Sequence, residues 1–314
     1  MAYKVYVDGQ EGTTGLRIFE YLSKRSNELE ILKIDSDKRK DTEERRRLIN
    51  QADIVFLCLP DDASREAVSL INNPYTKVID ASTAFRTHPE WAYGLPELSK
   101  EHREKIKSAT KVANPGCHAT AFNLLTYPLV KEGILPEDMQ ISATSITGYS
   151  GGGKKMIASY ETSGNKKLLV PRHYALKLTH KHLPEMQMIP GFKYTPIFLP
   201  IVSNYYKGLA VTIPLSPRTL SKKMDAKELN SFFADYYKEE KLIKVIPYQA
   251  DEFLDEGCLD ITACNDTNRS DLFVFGNEDQ ILIACRLDNL GKGACGGAIQ
   301  NMNIMLGLDE LSGI

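Results

Sequence analysis

The strongest constraint on the fold is a rhythm in the first third of the chain, where short apolar strands alternate with glycine turns and helix-like stretches. Lys4-Val5-Tyr6-Val7-Asp8 reads as a strand, runs into Gly9-Gln10-Glu11-Gly12-Thr13-Thr14-Gly15, and is followed from Leu16 to Ser23 by helical spacing. Leu29 to Ile34 reads as a second strand, Asp53 to Leu59 as a third that is almost wholly apolar, Lys77 to Asp80 as a fourth, and Lys111 to Ala113 as a last. A continuously apolar strand belongs in a parallel sheet covered on both faces. Strands alternating with helices over this length predict a doubly wound α/β domain.

The turn of residues 9–15 has the strand–glycine–helix order in which backbone N–H groups cradle a phosphate, although its spacing is G-x-x-G-x-x-G. Asp35 follows the second strand at the distance where an acid holds the ribose of NAD. Ser36, Lys38 and Arg39 beside it suit a 2′-phosphate instead and favour NADP, against the alternative of a solvated loop. The run Arg45-Arg46-Arg47 reads as the exposed face of a helix.

Directly after the last strand comes Asn114-Pro115-Gly116-Cys117-His118-Ala119-Thr120, then an apolar run with helical spacing to Val130. A cysteine on the threshold of a helix gains from unpaired N–H groups and the positive end of the dipole, which stabilise a thiolate. A nucleotide-binding domain that ends at such a cysteine suits hydride chemistry through a thioester. The remaining composition narrows the setting. Charges nearly cancel, at 39 Lys plus Arg against 41 Asp plus Glu, so no basic field recruits nucleic acid or anionic lipid. The six cysteines are scattered and no apolar run approaches a membrane span, which points to a reduced, cytoplasmic protein without disulfides.

Proton transfer needs an imidazole near the sulfur. Thr179-His180-Lys181-His182-Leu183-Pro184-Glu185 supplies two; as an H-x-H pair with Glu185 it could instead hold a metal, but no companion ligand cluster supports that. His118, next to the nucleophile, is expected to point elsewhere. Gly148-Tyr149-Ser150-Gly151-Gly152-Gly153-Lys154-Lys155 nearly matches a P-loop, but Lys155 stands where a hydroxyl must hold magnesium. The loop suits a substrate phosphoryl group or is a flexible connector. Arg86 lies past the fourth strand, at the sheet edge where ligands bind, and suits a carboxylate or a surface ion pair. Asp288 to Ala298, rich in small residues, leads into a closing helix from Ile299 to Leu308, with Cys295 a packing residue.

Together, residues 9–15, 80–86, Tyr93-Gly94-Leu95-Pro96-Glu97, 114–117, 180–185 and 288–303 resemble the N-acetyl-gamma-glutamyl-phosphate reductase family, in its shorter form, of the aspartate-semialdehyde dehydrogenase-like superfamily. The longer form has Ser-Gly-Ala-Gly-Arg where this chain has the 151–154 loop, a departure that leaves open which residue takes the arginine's role. The resemblance implies a Rossmann-type NADP domain over 1–116 with 285–314, and an α+β catalytic and oligomerisation domain over 117–284. It makes Cys117 the nucleophile and His182 the acid/base, with His180 as the other candidate and a substrate contact. Gly9, Gly12, Thr13, Thr14 and Gly15 would meet coenzyme phosphates, Ser36 and Arg39 would read NADP, and Pro60, Ser64 and Asn289 would border the coenzyme. Arg86, Ser150 and Lys154 would hold the substrate. The implied activity is NADPH-dependent reduction of an acyl phosphate in arginine biosynthesis by a homo-oligomer, dimer or tetramer, with no metal. The aspartyl and aminoadipate reductases share this chemistry, and a non-catalytic NADPH-binding redox sensor is the rival from another class.

Overall fold

The computed structural model describes residues 2–314, which divide into two compact units: the chain up to Gly116 together with Ala294–Ile314, and Cys117–Gly293. The first unit runs β1 (Tyr3–Asp8), α1 (Thr13–Ser23), β2 (Leu29–Leu32), α2 (Thr42–Gln51), β3 (Ile54–Leu57), α3 (Asp61–Ser69), β4 (Lys77–Asp80), β5 (Ala92–Tyr93), α4 (Lys100–Ser108) and β6 (Lys111–Ala113). Its sheet is parallel throughout, in the order β2-β1-β3-β4-β6-β5. The doubly wound expectation is therefore what the chain adopts.

Strand alternation divides the core. Val5, Val7, Ile54 and Phe56 face Ile18 and Leu22 of α1 and the closing-helix residues Ala298, Ile299 and Met302. Tyr6, Val55 and Leu57 face Leu48, Ile49 and Ala67 on the other side. Local signals set the helix starts: Asp41 caps α2 by accepting the Glu44 N–H at 2.9 Å, and Ser99 caps α4.

The second unit comprises α5 (Cys117–Lys131), β7 (Ser142–Gly148), α6 (Gly153–Thr162), β8 (Arg172–His173), α7 (Leu183–Met188), β9 (Ile197–Ser203), β10 (Leu209–Leu215), α8 (Ala226–Tyr236), β11 (Ile243–Val245), β12 (Ser270–Gly276) and β13 (Ile281–Leu287). Its seven-stranded sheet is mixed, in the order β11-β12-β13-β10-β7-β9-β8. Helix α5 is mostly apolar and buried along most of its length, with the polar His118, Thr120, Asn123 and Thr126 buried as well. Pro128 inside it leaves the Leu124 carbonyl without its usual donor, and the Tyr237 hydroxyl supplies one at 2.7 Å. Because β13 pairs with β10 and β12 as far as Leu287, the return to the first unit falls at Ala294 rather than at 285. There α9 (Gly296–Leu306) closes the chain, entered through a π-helical turn over Gly291–Cys295.

Candidate active site

Cys117 opens α5, partly exposed, so its sulfur sits at the positive end of a four-turn dipole. Within the first unit the turn before it is held from several sides. The Asn114 side-chain amide donates to the Ala294 carbonyl at 3.0 Å and accepts from Asn301 Nδ2 at 3.3 Å, while Arg86 Nε donates to the Asn114 carbonyl at 3.0 Å. Within the second unit, a methyl group added at position 293 would lie 2.6 Å from the Cys117 Cβ, so only glycine fits against that cysteine there.

Three imidazoles meet in the second unit. Ring centroids lie 5.4 Å apart for His118–His180, 5.4 Å for His118–His182 and 4.7 Å for His180–His182, with Phe198 packed against the first pair. His182 is buried, and its backbone N–H donates to His180 Nδ1 at 3.1 Å, which leaves Nε2 to carry the proton of a neutral His180 ring. His118 does not point elsewhere, as its neighbour's role had suggested: it is buried in this cluster. Among the described residues no group of three or more His, Cys, Asp or Glu is arranged to hold a metal.

Ser150 and Asn289 also come together. Asn289, buried, donates through Nδ2 to the Ser150 hydroxyl at 3.0 Å and accepts the Gly208 N–H at 2.8 Å. Lys154, in the first turn of α6, is exposed. Arg86 is buried, with Nη2 donating to the Ala81 carbonyl at 3.1 Å. It is therefore not a surface residue, and through the Asn114 and Ala81 carbonyls the guanidinium braces the turn that leads to Cys117.

The first unit holds a cavity of about 520 Å³ at the carboxyl ends of β1 and β3, where the strand order reverses and dinucleotides bind in such sheets. Asp8, Gly9, Gly12, Arg39, Cys58 and Leu59 are among its lining residues. Gly9 has φ +88°, and a Cβ there would lie 2.4 Å from the Cys58 carbonyl oxygen, so the turn depends on glycine. The hairpin of N–H groups, the basic Arg39 and Lys40 and this backbone approach fit a phosphate-bearing coenzyme. Arg39 is ion-paired with Glu11.

Thr13, Thr14 and Gly15 form the first turn of α1 and, like Pro60, do not line the cavity themselves; nor does the exposed Ser36. Ser64 is fully buried with its hydroxyl donating to Asp80 Oδ1 at 2.7 Å, a structural bond and not a cavity contact. The arginine run needs correction. Arg46 and Arg47 face outward, but Arg45 is buried, 3.0 Å from both Asp8 and Glu66, and lines the cavity. Burial pushes the Asp8 carboxyl up, against the pull of Arg45. Sequence spacing missed Arg45, His118, Tyr174 and Gly293; a charged residue at the end of an apolar strand, as Asp8 is, was the one available signal that a buried cation lay opposite.

The class these features define is a two-domain semialdehyde-dehydrogenase-type protein. The NAD binding domain of semialdehyde dehydrogenase matches residues 4–109 and the semialdehyde dehydrogenase dimerisation domain matches 117–289. The fold is similar to aspartate semialdehyde dehydrogenase II of Vibrio cholerae complexed with ASA (TM-score 0.73, 16% identity, 98% of each chain) and to the Francisella tularensis aspartate semialdehyde dehydrogenase (TM-score 0.71, 14% identity, 98% of this chain and 100% of that one). In sequence the chain is 44% identical to N-acetyl-gamma-glutamyl-phosphate reductase 2 of Nostoc sp. over 99% of both chains. It is 42% identical to the Pseudomonas putida protein of the same name over 98% of both. The chain belongs to the N-acetyl-gamma-glutamyl-phosphate reductase family.

Proposed function

We propose that this protein reduces N-acetyl-L-glutamyl 5-phosphate to N-acetyl-L-glutamate 5-semialdehyde and phosphate, a step of arginine biosynthesis, through an acyl-thioester on Cys117. The observation that carries this reading is a partly exposed cysteine at the N-terminus of a long helix, in the same compact unit as the buried His182 and the half-buried His180 packed against it. The Cys117 thiolate attacks the acyl carbon; the carbon–sulfur bond forms, the carbon–oxygen bond to phosphate breaks, and phosphate leaves. NADPH, when bound, supplies hydride to that carbon. His182 gives a proton to the oxygen as charge develops there and takes it back as the carbon–sulfur bond breaks, the C=O re-forms and Cys117 leaves as thiolate, with His180 oriented beside it. Gly9 and Gly12 present N–H groups to the coenzyme phosphates and Arg39 takes the 2′-phosphate in place of Glu11. Lys154 holds a substrate anion, and Asn289 fixes Ser150 as a further substrate contact, while Arg86 keeps the turn before Cys117 in place.

A homo-oligomer, dimer or tetramer, is part of the proposal. Ile197 and Leu199 of β9 and Leu282 of β13 expose apolar side chains from the sheet of the second unit, a surface that suits a second copy. No helix among the described residues is long and apolar enough to cross a membrane, and a cytoplasmic setting fits the free cysteines. The test is phosphate-dependent NADP reduction with N-acetylglutamate semialdehyde and aspartate semialdehyde in parallel. Strong preference for the acetylglutamyl compound is expected; equal rates or an aspartyl preference would reject the substrate assignment.

A further inference from the structure

His118 follows the nucleophile in sequence, yet both its nitrogens are engaged inside the second unit. Nδ1 lies 2.8 Å from the Ser145 hydroxyl on β7, and Nε2 lies 2.9 Å from the Tyr174 hydroxyl. The Ser145 hydroxyl donates to the Ala210 carbonyl on β10 at 3.1 Å. A serine hydroxyl has one proton, and with that proton on Ala210 the oxygen can only accept from His118. The His118 proton therefore sits on Nδ1, Nε2 is an acceptor, and the Tyr174 O–H donates to it. Each proton in the chain Tyr174–His118–Ser145–Ala210 is used once and in one direction.

Tyr174 heads the irregular segment that ends with His180 and His182, a stretch in which Ala175 and Leu178 hold left-handed backbone without being glycine (φ +54° and +55°). Something must hold that segment in place. Its first residue is tied through the side chain to His118, on the first turn of the nucleophile helix. Tyr174 also lies close enough to Cys117 that the sulfur's charge adds to burial in raising the phenol pKa.

We infer that His118 is a positioning residue: a neutral Nδ1–H imidazole that ties the Tyr174 hydroxyl, and with it the segment bearing His180 and His182, to the turn that carries Cys117. This rests on the reading of Cys117 and His182 as the reacting pair. The groups facing the ring are Tyr174, His180, Lys181 and His182 from the 174–182 segment, Ser145 from β7 and Phe198 from β9. Burial first, then the charges of His180 and Lys181, hold His118 far below the usual imidazole range, at about 3. With both nitrogens committed and no charge to give up, His118 leaves the mobile proton to its two neighbours.

Two substitutions separate its halves. His118→Gln can still present an acceptor near the Nε2 position, whereas His118→Asn reaches only the Nδ1 position and loses Tyr174; Tyr174→Phe removes the donor. Expected are losses in kcat of about 10–100-fold for His118→Asn and Tyr174→Phe, with KM and NADPH affinity within about twofold, recovery in His118→Gln to within about fivefold, and a double variant no worse than either single one. Nitrogen NMR of histidine-labelled native protein should show one ring that is Nδ1–H and stays neutral from pH 8 to 5, its signals absent from His118→Gln. Native kcat in the Asn and Phe variants, multiplicative losses in the double variant, or a His118 that is Nε2–H or titrates near neutrality would each overturn the inference. The NMR readout needs no turnover, so a failure of the reductase assignment would be seen separately from a failure of the His118 assignment.

Discussion

The coenzyme cavity of the first unit is lined by runs that are short in sequence, residues 8–12, 39–45 and 58–66, whereas the reactive cluster of the second unit gathers residues 117, 118, 145, 174, 180, 182 and 293. The first arrangement follows from topology: parallel strands bring the loops at their carboxyl ends together wherever the order reverses. The second depends on the register of a mixed sheet and on the course of an irregular segment, so its geometry is held by individual contacts. Changes in the first unit should therefore act on coenzyme affinity or stability, and changes in the second on turnover.

The largest effect expected is from Cys117→Ser, with turnover falling by at least about 10⁴-fold while NADPH binding by fluorescence titration stays native. Residual activity within tenfold of native would remove the covalent step from the second unit altogether. His182→Ala should cost about 10²–10⁴-fold in kcat, the scale of a lost proton shuttle. If His180→Ala costs more, the two rings exchange roles. In the first unit, Arg45→Leu strands the buried Asp8 and should lower unfolding free energy by about 3 kcal/mol in urea titration. A change below about 1 kcal/mol would mean that the pair is solvated in solution.

Acid should find the second unit through His118. Its folded pKa lies near 3 against an ordinary 6.5, so below pH 6.5 the unfolded chain takes up a proton that the folded protein refuses. Stability present above pH 6.5 is then lost as pH falls toward 3, at up to about 1.4 kcal/mol per pH unit, and His118→Gln should flatten that part of the curve. An unchanged slope in the variant would put the proton elsewhere. The smallest effect belongs to Arg39→Ala: about tenfold in KM for NADPH, little change with NADH, and kcat at saturation near native.

The same contrast explains what could be read from the chain. The glycine turn after β1, the alternation of strands and helices, and Cys117 behind Asn114-Pro115-Gly116 are local patterns, and each was legible because strand, turn and helix are set by neighbours. Arg45 was not: two adjacent arginines face outward, and only Asp8, brought beside it by the packing of α2 on β1, makes the third an interior residue. Nor was His118. One residue along a helix turns the side chain by about 100°, and what lies in that direction, Ser145 and Tyr174, is fixed by β7 and by a segment 56 residues away. Gly293 lies in the small-residue run 288–298, but the neighbour that requires its smallness, Cys117, is set by the fold.

Rapid acid quench of the enzyme with its acyl phosphate in the absence of NADPH, followed by mass spectrometry of the peptide containing residue 117, examines the chemistry most directly. An N-acetylglutamyl mass increment on Cys117, discharged on adding NADPH with release of the semialdehyde, is the expected result. No adduct at that residue under conditions of full turnover, or full activity after its alkylation, would contradict a thioester pathway.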